Sequence, residues 1–253
     1  MKTQKEIDTV IDHAYSYYKT QFNDVSLDPY SQVGFDDYGN HNCIENRVYY
    51  FLKDYFRDSQ FPVQISNSEY ADLDGVEVYH GFEKIDHAFD FINAHDRNHY
   101  GVGLKGNGFY VSTSKKDALN YTAGAHGDPS SDRILTLKIV PCRIVEHDDI
   151  LKALVYIQGG NKNNLQFINL PEEDKQKLDW IREKLLNIFD MDFSECMLSN
   201  VSNIALLLEY DALHTKRKNK VDDHLIVLQT NKLFLEENEA SRVGNLVENS
   251  ERN

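Results

Sequence analysis

The chain has little with which to hold a polyanion or cross a bilayer. Its 27 Lys and Arg stand against 41 Asp and Glu, a formal charge of -14, which opposes the broad electrostatic grip of nonspecific nucleic-acid binders. It has no apolar run of membrane-spanning length, and the opening Met1-Lys2-Thr3-Gln4-Lys5-Glu6-Ile7-Asp8 lacks the apolar core of a secretory signal. The expectation is a soluble, cytoplasmic protein without a membrane partner, and export by a dedicated system stays compatible with that. Cysteine is scarce: Cys43, Cys142 and Cys196 are odd in number, far apart and without C-x-x-C spacing. They read as reduced small hydrophobes rather than as a disulfide frame or a zinc site. Internal repeats are absent too.

What is present is globular: 253 residues with 41% hydrophobic and 11% aromatic content, enough for one large core and a smaller appendage. Ile7, Val10, Ile11, Ala14, Tyr15 and Tyr18 fall at helical spacing, and Val48, Phe51, Leu52, Tyr55 and Phe56 repeat the pattern. These two helices, separated by a polar loop over 23–42, predict a helical N-terminal unit over 1–70. From Val76 the rhythm becomes that of strands and short helices. Strands are expected at 76–80, 109–112, 134–140, 210–213 and 224–228, and helices at 85–94, 114–121, 148–156, 171–189 and 200–208. Ser114 is expected to cap its helix with Asp117 as the reciprocal acid of a capping box. The charged stretch from Glu236 onward, poor in apolar residues, predicts a flexible tail over 241–253.

Two tempting motifs fail on context. Gly103, Gly106 and Gly108 precede a strand, whereas a dinucleotide fingerprint leaves a strand and opens a helix. His95 and His99 sit in a Gly- and Asn-rich stretch with no third ligand suggested, so no metal is predicted.

The sharper constellation is Tyr79-His80-Gly81-Phe82, then Gly106-Asn107-Gly108-Phe109-Tyr110-Val111-Ser112-Thr113-Ser114, then Ala118-Leu119-Asn120-Tyr121. Any one of these aromatic residues alone reads best as core packing. In this order they resemble the ADP-ribosyltransferase family, in the His-Tyr-Glu branch that includes diphtheria toxin and the poly-ADP-ribose polymerases. The likeness runs over residues 76 to about 235 and implies a catalytic domain over 71–240. The fold it implies is α/β in the α+β sense: a split, mostly antiparallel β core of the ADP-ribosyltransferase type, with the helical N-terminal unit and a helical insertion at about 148–190.

That resemblance implies NAD as co-substrate and assigns roles to residues. His80 bonds ribose hydroxyls, backbone beside Gly81 holds the nicotinamide amide, and Tyr110 and Tyr121 sandwich the positive ring. Gly108, Phe109 and Ser112 complete the NAD-binding set. The family's catalytic Glu precedes the last core strand; here Asp223 occupies that place in Val221-Asp222-Asp223-His224-Leu225-Ile226-Val227-Leu228. Asp is one methylene shorter, a difference of roughly 1 Å, which costs about a hundredfold where positioning is critical. Glu209, ahead of Tyr210-Asp211-Ala212, is the reserve carboxylate. The Arg and Ser-Thr-Ser branch of the family is set aside, because His80 stands where it needs Arg and no Glu-x-Glu follows.

The implied activity is transfer of ADP-ribose to a macromolecular acceptor, protein or nucleic acid, by a toxin or effector that attaches single units. A toxin made in its own cell needs an antitoxin or inhibitor protein as partner. The basic run His214 to Lys220 lies where relatives present the acceptor, and is also what a solvated turn looks like. Two other readings stand beside transfer: an NAD glycohydrolase, and a non-catalytic NAD or ADP-ribose binding module.

Overall fold

The computed structural model describes residues 2–22, 44–56, 62–93, 107–123, 127–140, 142–188, 191–216 and 223–251. In chain order the elements begin with α1 (Gln4–Phe22), α2 (Ile44–Phe56), β1 (Val63–Ile65), α3 (Asn67–Asp72), β2 (Val76–Gly81), α4 (Ile85–Asn93), β3 (Phe109–Ser112) and α5 (Lys115–Thr122). There follow β4 (Ile134–Ile139), β5 (Ile144–Glu146), α6 (His147–Ile157), α7 (Glu172–Asn187), α8 (Met191–Leu198) and α9 (Val201–Leu207). The chain closes with β6 (Ala212–Lys216), β7 (Asp223–Val227), β8 (Leu233–Glu236) and α10 (Glu237–Glu251). The fold is mixed α and β, with strands ordered β1-β8-β4-β2-β3-β7-β6-β5. Among the described residues no helix is long and apolar enough to cross a membrane.

Two compact units share the chain. The first takes the described parts of 1–57, 101–108 and 143–213. Its helices follow their apolar spacing: Ile7, Val10, Ile11, Ala14 and Tyr18 are buried along α1, and Leu178, Ile181 and Leu185 along α7. All seven residues of α9 are buried, so α9 is the unit's central helix.

The second unit takes the described parts of 58–100, 109–142 and 214–253. Its pairings are antiparallel between β2 and β4, β2 and β3, β3 and β7, and β4 and β8, while β1 runs parallel to β8. The two-residue period sorts β3: Phe109 and Val111 enter the core with Leu225 and Val227, their partners on β7. Tyr110 and Ser112 take the other face, opposite Ile226 and His224. Ala88, Phe91 and Ile92 of α4 and Val243 of α10 cover the core face.

Two expectations are corrected. The stretch from Glu236 onward was expected to fray, yet it is the helix α10. Its charges are what dock it: Glu239 accepts from the Thr136 amide at 2.9 Å, and the Arg242 guanidinium donates to the Ile134 carbonyl at 2.7 Å. The second concerns α5. Ser114 does accept from the Asp117 amide, at 3.2 Å, but its own amide donates to Ser112 Oγ at 3.0 Å, and the Asp117 carboxylate faces His224. The capping box is therefore only half formed.

Candidate functional site

The β2 and β3 ladder is the feature that opens a site. β2 pairs with β4 along its whole length, from Val76 with Ile139 to Gly81 with Ile134, and β3 pairs with β7 from Phe109 to Ser112. Between β2 and β3 the registered pair is Tyr79 with Ser112. Among the described residues no further pair is registered between the two strands, and a pocket here is lined by Tyr79, His80 and Gly81 from β2, Tyr110, Val111 and Ser112 from β3, Ala118 and Tyr121 from α5, and His224 from β7.

His80 lines this pocket from β2. It shares a strand face with the core residue Val78, and its ring lies against two others: stacked on Phe109 at 4.3 Å and edge-on to Phe82 at 4.4 Å. Phe109 stacks in turn on Phe91 at 4.2 Å. This aromatic column fixes the imidazole, while its Nδ1 meets the Tyr110 carbonyl on β3. Burial pushes the His80 pKa down from 6.5 to about 4, against the upward pull of the Tyr110 carbonyl. The ring is neutral near pH 7.

The structure supplies a local reason for glycine at 81. A Cβ there would sit 2.1 Å from the Ala118 carbonyl oxygen and 3.0 Å from Thr122 Cγ2, so α5 packs directly on the β2 backbone. The same close approach brings Ala118 and Tyr121 into the pocket. Tyr121 remains 46% exposed and meets His224 edge-on at 6.3 Å between ring centres. Tyr79 donates its hydroxyl to Glu77, and that bond, with burial, raises its pKa to about 12.

Of the residues expected to bind NAD, His80, Gly81, Tyr110, Ser112 and Tyr121 meet in this one pocket. Gly108 and Phe109 do not line it. Gly108 enters β3 at φ 152, a conformation that favours glycine, and Phe109 is the platform beneath His80. The preceding Asn107 is buried; its amide donates to Asn200 Oδ1 at 3.3 Å, and its carbonyl accepts from Ser202 Oγ at 2.6 Å.

The two carboxylate candidates differ in what is described. Asp223 opens β7, beside pocket-lining His224, and its side chain lies outside the described residues. Glu209 belongs to the first unit, at φ 63 just past the end of α9. Its carboxylate accepts from the Lys2 amide at 2.9 Å, the Lys2 ammonium at 3.2 Å and the Lys177 ammonium at 3.0 Å. Burial alone would raise its pKa; these donors overcome that and hold it at about 2. Residues 23–43, His95, His99, Gly103, Gly106, Asp222 and Arg217 to Lys220 fall outside the described residues.

Sequence reasoning missed His224 and Asp117. His224 is 6% exposed and Asp117 2%, and the imidazole Nε2 faces the carboxylate Oδ2 inside the second unit. His224 read only as the start of a strand, and Asp117 as a cap and as part of the Lys116 to Tyr121 stretch that carries the resemblance; nothing local joins them.

The pocket's volume is about 60 Å³, room for about two waters. Its lining combines aromatic faces with two imidazoles and with hydroxyls. No protein-family model, curated protein or solved structure matches the chain.

Proposed function

We propose that the chain binds NAD in the His80 pocket and transfers its ADP-ribose to a macromolecular acceptor, releasing nicotinamide, as a toxin or effector adding single units. One observation supports the reading: His80, Gly81, Tyr110, Ser112 and Tyr121, singled out by their order in the sequence, line a single pocket. On this reading the single registered pair between β2 and β3 marks the split of an ADP-ribosyltransferase-type sheet.

The chain's own residues would then act as follows. His80, kept neutral by burial, offers hydrogen bonds to ribose hydroxyls without setting a second positive charge against the nicotinamide ring. Tyr110 and Tyr121 present aromatic surface to that ring. The co-substrate itself supplies the bond that breaks, between ribose and nicotinamide. Asp223 remains the proposed carboxylate of the reaction, because the oxygens of Glu209 are engaged by Lys2 and Lys177. An antitoxin or inhibitor, and a cytoplasmic setting, belong to the same proposal.

The test is incubation with NAD labelled in its ADP-ribose half and a lysate afterwards split into protein, RNA and DNA. Label is expected in one macromolecular fraction, with loss of about a hundredfold in Asp223→Ala and clear loss in His80→Ala and Tyr110→Ala. Free ADP-ribose without transfer would mean a glycohydrolase, and binding without turnover a binding module. A wild type that binds no NAD removes the reading altogether.

A further inference from the structure

We propose that His224, held by Asp117, is a second functional imidazole of this pocket and takes the proton of the incoming hydroxyl. The proposal rests on the NAD reading and deepens it. His224 lines the pocket from β7, opposite Ser112 in the ladder, while Asp117 comes from α5, the helix that also sets Ala118 and Tyr121 against the same space. Both members are almost fully buried, and taking a carboxylate and an imidazole out of water is costly unless each answers the other. Here Nε2 meets Oδ2 directly.

That contact has a chemical consequence. On this proposal the Asp117 carboxylate holds the Nε2 side of the ring, and Nδ1 is the nitrogen that takes the proton. The hydroxyl oxygen forms its bond to the anomeric carbon of the ribose as the bond from that carbon to the nicotinamide nitrogen breaks. The electron pair stays on that nitrogen and cancels its charge. The hydroxyl proton passes to His224. The hydroxyl comes from the acceptor in transfer and from water in hydrolysis, so the step is common to both. His224 is then a catalytic residue and Asp117 a positioning residue.

An Asp–His pair also pins α5 to β7, and the two roles separate in their readouts. With wild-type turnover established, His224→Ala should lower nicotinamide release by about a hundredfold or more, well beyond any change in NAD affinity, and added imidazole should restore part of the rate. A merely structural histidine gives no such rescue. Asp117→Asn should lower kcat and leave KM in place. His224→Gln, a polar replacement, repeats the measurement should the alanine variant fail to fold. In the wild type the His224 ring resonances should move on NAD addition, a readout that needs no variant.

Wild-type rates in folded His224→Ala or His224→Gln, or ring resonances unmoved by NAD, would overturn the proposal and leave the NAD pocket standing. NAD binding without turnover overturns it likewise. No NAD binding at all overturns the reading beneath it.

Discussion

The pocket of the second unit and the charge network of the first both bury ionisable groups, and they do so in opposite ways. In the network every buried charge is answered by another. Asp174, fully buried, accepts from the Arg143 guanidinium at 2.8 Å and the Tyr210 hydroxyl at 2.5 Å; Lys177, 1% exposed, donates to Glu209. In the pocket His80 is answered by aromatic rings and a carbonyl, and it sheds its charge instead. Buried groups that answer one another in this way make a scaffold. A neutral imidazole in an aromatic setting stays available to a ligand. The His224 contact with Asp117, an imidazole against a carboxylate, joins the two styles, which is why it is the group to test there.

The hardest blow to this comparison is struck at Asp174. Asp174→Ala leaves the Arg143 and Tyr210 donors without their acceptor, and breaking a buried pair costs about 3–5 kcal/mol. Urea unfolding should show that loss, with NAD affinity per folded molecule unchanged. A large fall in that affinity would show that the network serves the ligand rather than the scaffold.

Acid separates the two regions along the pH axis. His80 binds its proton more weakly folded than unfolded, so between pH 6.5 and about 4 the unfolded chain holds the extra proton. Its contribution to stability is complete above 6.5 and is lost as pH falls toward 4. A fully dry ring would give about 3 kcal/mol for such a shift, and the half-buried His80 gives less. Glu209 is also depressed, but from 4.5 to about 2, so its contribution is present above 4.5 and lost as pH falls toward 2. Stability measured against pH should therefore fall in two stages. His80→Phe should remove the upper stage and Glu209→Gln the lower; one variant removing both would merge the regions into one titrating unit.

The strands that build the pocket were legible because their residues alternate. Phe109 and Val111 face the core while Tyr110 and Ser112 do not, and that rhythm is visible without coordinates. Helices α4, α6 and α7 were legible from their apolar spacing. β1 and β8 were not: with three and four residues they carry almost no period, and their parallel pairing joins distant parts of the chain. α10 was hidden because charge was taken as a sign of solvation, whereas Glu239 and Arg242 bond the end and edge of β4. The candidate site followed the same divide. Its members on one strand or helix could be seen in order, and the Asp117–His224 pair, made between elements distant in sequence, could not.

The smallest expected effect concerns how α5 is held over the pocket. Ser114 caps α5 by accepting from the Asp117 amide, and Ser66 caps α3 in a complete capping box with Glu69. Removing either hydroxyl by Ser→Ala costs about 1 kcal/mol. The stability losses should thus be alike. Their consequences for ligand should differ, because α5 carries Ala118 and Tyr121 into the pocket and Asp117 against His224, whereas α3 contributes no lining residue. Fraying the first turn of α5 moves Asp117 first, since it is the residue whose amide the cap holds. Ser114→Ala should therefore weaken NAD binding and slow turnover beyond its effect on melting, while Ser66→Ala should change melting alone. Equal ligand effects from both caps would mean that α5 is held over the pocket by its packing on Gly81 and not by its first turn.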